Sequence, residues 1–162
     1  MAAMPRVLST RAVAVRSRVS GWREAVRLAG NLLVRVGAVE PGYVRRMIQN
    51  IEELGPYVVL GRGVALPHAR PEDGVKRVAL SVVTLQRPIL FPGREDSPVD
   101  VVIGLAAVDN TSHITVMQRL AEMLDNRGFA DRARRARSAR ELLRQMAPLS
   151  TLRATGAPVG GA

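Results

Sequence analysis

Two near-continuous apolar runs, residues 78–85 and 99–107, constrain the fold more than any other feature of the chain. A strand with one wet face alternates apolar and polar residues, and these runs do not alternate. They read as strands covered on both faces, which requires a layer above and a layer below their sheet. Residues 87–98 between them hold three prolines and a glycine and read as a loop.

The covering layers are legible as amphipathic helices. Ala25, Leu28, Ala29, Leu32, Leu33 and Val36 recur at spacings of three and four, which predicts a helix over residues 21–36 that Ser20 caps and Gly37 ends. Pro41 suits a first helical position. Val44, Met47, Ile48, Ile51 and Leu54 then form one stripe, stopped by Gly55-Pro56. From Tyr57 the period changes, and residues 57–60 and 64–66 read as short strands about a Gly61-Arg62-Gly63 turn. After the second long run, Asp109, Asn110, Thr111 and Ser112 all suit the N-cap of a helix that turns Ile114, Met117, Leu120, Ala121 and Leu124 inward. Ser138 and Glu141 have capping-box spacing for a last helix over residues 139–146. Residues 12–15 read as an edge strand. The order predicts an α/β fold, a single-domain sandwich with a mixed central β-sheet flanked by α-helices. Residues 1–5 are expected to be flexible, 6–146 to form the domain, and 147–162, rich in Gly, Pro, Ser and Ala, to be a disordered tail.

The formal net charge of +10 invites a nucleic-acid reading. Against it, Lys76 is the only lysine, and the few aromatic residues are not interleaved with the arginines as a base-stacking surface requires. Arg132, Arg134, Arg135, Arg137 and Arg140 read as a solvated helix face. No nucleic-acid partner is expected; a positive field also attracts acidic or phosphorylated proteins. The absence of cysteine excludes disulfides, thiol nucleophiles and Cys-based metal sites, and fits a cytoplasmic protein. The two histidines have no metal-ligand spacing, so no metal is expected. No stretch approaches the roughly 20 apolar residues of a membrane span, so no direct membrane insertion is expected. Gly61-x-Gly63 lacks the third glycine of a dinucleotide fingerprint and signals a turn.

The two histidines carry the chemistry. His68 follows Pro67 at the end of a short apolar run and precedes Arg70. That arrangement holds a nucleophilic nitrogen at the mouth of a sheet with a cation nearby for an oxyanion; the plainer alternative is a surface histidine after a strand. His113 falls in the first turn of a helix, where N–H groups favour anions and an imidazole can donate to a phosphoryl oxygen. Its plainer alternative is an ordinary polar first-turn residue. Both histidines lie just past strand ends, where α/β sheets gather ligands. If both ends open at the same edge, the two rings face one small site.

The segment from Gly55-Pro56-Tyr57 through Gly61-Arg62-Gly63-Val64-Ala65-Leu66-Pro67-His68-Ala69-Arg70-Pro71-Glu72 resembles an active-site signature. It is that of the IIA (EIIA type-2) components of the bacterial phosphoenolpyruvate-dependent sugar phosphotransferase system (PTS), mannitol/fructose type, in the form of the ascorbate-like branch. The resemblance extends through Trp22-Arg23-Glu24-Ala25, Phe91 and Asp109-Asn110-Thr111-Ser112-His113, and so covers Leu8 to Met146.

The resemblance implies that His68 takes a phosphoryl group from the phosphohistidine of the carrier HPr. It then passes the group to a IIB component, whose acceptor is usually a cysteine, for uptake through a IIC permease. No cofactor is implied, neither metal nor nucleotide. His113 matches the second active-site histidine, which supports the phosphoryl group without carrying it. Arg70 is added from the residues themselves, as a cation for the phosphoryl oxygens. The mannitol branch carries an arginine on the preceding helix; the aligned positions Ile51, Glu52 and Glu53 offer none, so either another cation, such as Arg70 or Arg62, takes that part or transfer is weaker. Two other readings stand beside this one. One is a regulatory module whose His68 phosphorylation gates binding to a partner protein; the other is a paired-histidine hydrolase of phosphodiesters.

Overall fold

In the computed structural model, which describes residues 6–126, 128–150 and 152, the two apolar runs are adjacent antiparallel strands, β4 (Ala79–Ile89) and β5 (Val99–Ala106). All eight residues of β5 are buried, the outcome expected of a strand roofed on both sides. Three shorter strands complete the sheet: β1 (Val13–Ser17), β2 (Val59–Gly61) and β3 (Val64–Ala65). The order is β1-β4-β5-β3-β2, with β1 parallel to β4, β3 parallel to β5, and the other pairs antiparallel. The sheet is mixed, as the sequence predicts.

One face is covered by α1 (Trp22–Arg35) and α2 (Pro41–Leu54). The other is covered by α3 (Asn110–Asp125), α4 (Phe129–Arg135), α5 (Ala139–Gln145) and α6 (Ala147–Ser150). Alternation along β4 serves both layers: Ala79, Val83 and Leu85 join the first core, Leu80 and Val82 the second. The first layer packs closely because β5 carries Gly104 at its middle. A Cβ there would collide with the buried Ser81 hydroxyl and touch the Cβ and carbonyl oxygen of Ala29 on α1 at 3.4 Å. Beside it, the buried Ser81 hydroxyl donates to that same carbonyl at 2.7 Å.

Four of the arginines serve helix ends. Arg11 and Arg77 donate to the carbonyls of Arg35 and Val36 at the end of α1, Arg62 to Leu124 near the end of α3, and Arg16 to Arg135 at the end of α4. Helix C-termini present unpaired carbonyls and partial negative charge, so guanidinium groups suit them. Among the described residues, Arg16 and Arg62 are also the non-glycine residues with positive φ, 52° and 57°.

Five expectations need correction. Ser20 does not cap α1: Gly21 stands at the N-cap, and the Ser20 hydroxyl donates to Glu24 Oε2 at 2.6 Å. The loop expected over residues 87–98 begins later, because β4 runs through Pro88 to Ile89. Proline is tolerated there because the ladder is irregular between Thr84 and Ile89, where no rung needs its missing N–H. In α3 the buried stripe is Val116, Leu120 and Met123, whereas Ile114 is 54% exposed and Ala121 is exposed. The arginine run is divided between α4, the link after it and α5, not laid along one helix face. The fold also continues past residue 146: α6 buries Leu149, and the carbonyl of Leu152 accepts from Val7 N–H at 2.8 Å. Beyond that, the expected tail and residues 1–5 lie outside the described residues.

Candidate functional site at the ends of β3 and β5

Because β3 and β5 are parallel neighbours, both end at the same edge of the sheet. The chain leaving β3 stays beside β5 for a few residues: Leu105 N–H donates to the Pro67 carbonyl at 3.2 Å, and His68 pairs with Leu105 as an isolated parallel bridge. From β5 the chain passes Asp109 into α3. Asp109 is the cap selected from the run of possible caps; its carboxylate accepts Ser112 N–H at 2.8 Å and Ser112 Oγ–H at 2.8 Å. These hydrogen bonds hold the Asp109 carboxyl below its ordinary range. The first-turn donors therefore already serve a carboxylate from their own chain.

His113 lies one helical turn before Val116 on the stripe that α3 buries, so the packing of α3 turns it toward the sheet edge. The ring centroids of His68 and His113 stand 5.7 Å apart at 53°. Together with Ala69, Arg70, Leu105 and Asp109 they line a cleft of about 200 Å³.

The hydrogen bonding of His68 defines which nitrogen is reactive. Its Nδ1 lies 2.8 Å from the carbonyl oxygen of Leu66. A carbonyl only accepts, so Nδ1 carries the proton and the neutral ring keeps its lone pair on Nε2. Burial pushes the His68 pKa below the ordinary histidine value, and the nearby His113 acts in the same direction, while the Leu66 bond opposes them. Neutral, tautomerically fixed imidazole is the nucleophilic form.

Arg70 lines the cleft, and its backbone is anchored: its N–H donates to Asp73 Oδ2 at 2.9 Å, and Asp73 Oδ1 faces Arg46 Nε at 3.5 Å. Arg62 is not at the site. Its guanidinium is 2.5 Å from the Leu124 carbonyl, at the opposite end of α3 from His113. Of the two cations expected to stand in for the mannitol-branch arginine, the fold brings only Arg70 to the histidines.

The model for the family described as the phosphoenolpyruvate-dependent sugar phosphotransferase system, EIIA 2, matches residues 6–147. The chain belongs to that family. It is 38% identical over 135 residues to the ascorbate-specific PTS system EIIA component of Escherichia coli (strain K12), covering 82% of this chain and 87% of that one. Among solved structures it is similar to the mannitol-specific cryptic phosphotransferase enzyme IIA from Escherichia coli, with TM-score 0.78 and 30% identity over 86% of this chain and 95% of that one. It is also similar to a chain in the complex of mannitol enzyme IIA with phosphorylated enzyme IIB from Escherichia coli, with TM-score 0.76 and 31% identity over 86% and 96% of the two chains. As an EIIA component of this system, the protein is a phosphotransferase, and the α/β fold expected from its sequence is the fold of the family.

Two residues beside His68 were given no individual role from the sequence. Tyr57 presents its ring edge-on to His68, with centroids 5.6 Å apart at 88°. Tyr43, on α2, reaches through the core to the backbone beside His68. Tyr57 sits inside the signature and had a signal available, since it is an aromatic at the head of the aliphatic run Val58-Val59-Leu60, eleven positions before His68. Tyr43 had none beyond its place on the apolar stripe of α2.

Proposed function

We propose that His68 Nε2 accepts a phosphoryl group from phospho-HPr and passes it to a IIB component, in support of uptake through a IIC permease. The observation that carries the reading is the fixed tautomer: Nδ1–H bonded to the Leu66 carbonyl leaves Nε2 with its lone pair, in a cleft shared with His113. In the first step, Nε2 attacks phosphorus as the nitrogen–phosphorus bond to the donor imidazole breaks, and the donor ring leaves with that electron pair. The second step reverses the roles toward the IIB acceptor, for which the family resemblance implies a cysteine sulfur. Charge spreads over the three phosphoryl oxygens in such loose transition states, so positioning and electrostatics do the catalysis. We assign His113 as a donor to those oxygens, and Arg70 as a nearby cation for them. The reading calls on no cofactor.

Cleft size supports a protein-borne donor. Small-molecule sites commonly have volumes of ~300–1,000 Å³, and this cleft is about 200 Å³. Around it the surface is apolar on both sides: Tyr57 beside His68 is 43% exposed, and Ile114 beside His113 is 54% exposed. A small reactive spot with exposed apolar residues beside it suits a phosphoryl group presented on another protein. The likeness to a IIA chain solved with phosphorylated IIB supports a IIB acceptor. The ascorbate-specific name of the Escherichia coli relative supports a sugar-acid or pentitol-like branch for the transported cargo.

The deciding experiment is intact mass after incubation with phosphoenolpyruvate, enzyme I and HPr. Wild type gains one acid-labile phosphoryl group and the His68→Gln protein gains none. Stoichiometric labelling of His68→Gln would sink the assignment. Labelled protein that fails to discharge to its cognate IIB would transfer support to the regulatory reading.

A further inference from the structure

We propose that Tyr43 is a positioning residue for phosphoryl transfer: its hydroxyl is spliced into the sheet's hydrogen-bond ladder one rung past His68 and sets how the histidine leaves the sheet. This rests on His68 being the phosphoryl acceptor.

In a parallel ladder, a residue's N–H and C=O bond to the two neighbours of its bridge partner. Leu105 is the bridge partner of His68, and its N–H takes the Pro67 carbonyl at 3.2 Å. The other half of the pattern is a bond from Ala69 N–H to the Leu105 carbonyl. Tyr43 stands in that place: Ala69 N–H donates to the Tyr43 oxygen at 3.0 Å, and the Tyr43 hydroxyl donates to the Leu105 carbonyl at 2.6 Å. The hydroxyl has one proton, and its 3.3 Å approach to the Ala69 carbonyl is the longer alternative. One oxygen atom therefore spaces two backbone groups that would otherwise meet directly.

The consequence falls on His68. Its ring is held by Leu66 behind and its backbone by Leu105 alongside, so the spacer at Ala69 is where the chain diverges from β5. Without it, Ala69 N–H either closes onto Leu105 and draws His68 inward, or stays buried and unbonded. The spacer is dependable because Tyr43 is fully buried, and burial pushes its hydroxyl up to about 12, so it keeps its proton. Phenylalanine would fill the same core volume and supply no bridge.

The test uses the full chain with Tyr43→Phe, beside Met47→Leu as a buried substitution on the same helix. Two readouts are taken: the ¹⁵N titration of the His68 ring, and kcat and KM for transfer from phospho-HPr. We expect Tyr43→Phe to lower kcat roughly 10–100-fold, the scale of an ångström-level misplacement, with KM unchanged. The ring titration should shift, and Met47→Leu should leave both readouts in place. An unchanged titration and rate in folded Tyr43→Phe overturns the proposal, and so does an equal effect of Met47→Leu. Should Tyr43→Phe fail to fold, the wild type decides: a Tyr43 hydroxyl proton protected from exchange and close to the Ala69 amide proton supports the splice, and its absence overturns it. If wild type takes no phosphoryl group, the functional reading fails, while the ring titration still decides whether Tyr43 sets the histidine.

Discussion

The two ends of the β3–β5 pair treat polar groups in opposite ways. Where the strands begin, the larger cleft, about 550 Å³, is lined by Arg62, Asp100, Asp131 and Arg134. Every one of these has a protein partner: Arg134 bonds Asp100 at 2.8 Å and pairs with Asp131, and Arg62 holds Leu124. Burial raises the Asp100 carboxyl and Arg134 pulls it back, the signature of a structural pair. Where the strands stop, the smaller cleft holds an imidazole with one nitrogen bonded and the other, among the described residues, without a partner. The proposed chemistry therefore falls in the smaller cleft, where an imidazole lone pair is left unsatisfied, and not in the larger one.

Acid breaks the comparison most strongly after loss of His68 itself. Protonated imidazole has no lone pair on Nε2, so acceptance falls as pH drops through the folded-state pKa of His68. Burial places that value below the ordinary 6.5, so the rate stays level to a lower pH than an exposed histidine would allow. It then falls about tenfold per pH unit. A fall already complete above pH 6.5 would contradict the buried, neutral ring. Initial rates of phosphoryl gain against pH give the answer.

Removing one end of the histidine pair has a smaller effect. His113→Gln should slow transfer by roughly 100–1,000-fold, the range for loss of a donor to developing charge, while labelling still reaches one group per chain. Rapid-quench labelling separates the rate from the endpoint. Loss of the endpoint instead would make His113 a carrier.

The arginines sharpen the contrast between the two ends. Arg70→Gln should cost about 1 kcal/mol, roughly a fivefold slower transfer, as expected for an exposed cation. Arg62→Gly should leave transfer unchanged. It removes a helix-end contact but relieves a positive φ, two opposed effects that keep stability within about 1 kcal/mol of wild type by thermal unfolding. A transfer defect in Arg62→Gly would show that the far end of α3 governs the site.

Much of this was legible in advance, for identifiable reasons. β4 and β5 announce themselves because strands buried on both faces have no polar alternation. The first two helices do so because one stripe and clear stop signals agree: Gly37 has φ 74°, and Pro41 takes the first position of α2. The signature around His68 is local, so the likeness to its family was readable without any fold. Other features were illegible because they are not local. The start of the loop depended on where the ladder could do without the N–H of Pro88. The close of the domain depended on Leu149 finding a buried place and Val7 finding the Leu152 carbonyl. Tyr43 bonds backbone groups 26 and 62 positions away, and a hydroxyl on an apolar stripe gives no sign of such partners.

His113 shows where the division lies. The sequence alone determined that a histidine opens a helix just after a buried strand, and that another closes a short strand at Pro67. It did not determine which face of α3 meets the sheet, because the stripe through Ile114, Met117 and Ala121 overlaps the stripe through Val116, Leu120 and Met123. Only the tertiary structure chose between them: the sheet buries Val116, Leu120 and Met123 and leaves Ile114 exposed. A face about 100° away would carry His113 off the sheet edge. Periodicity states which residues are apolar; the packing partner decides which apolar residues are inside. Here that choice, together with the parallel pairing of β3 and β5, brings two histidines 45 positions apart within 5.7 Å.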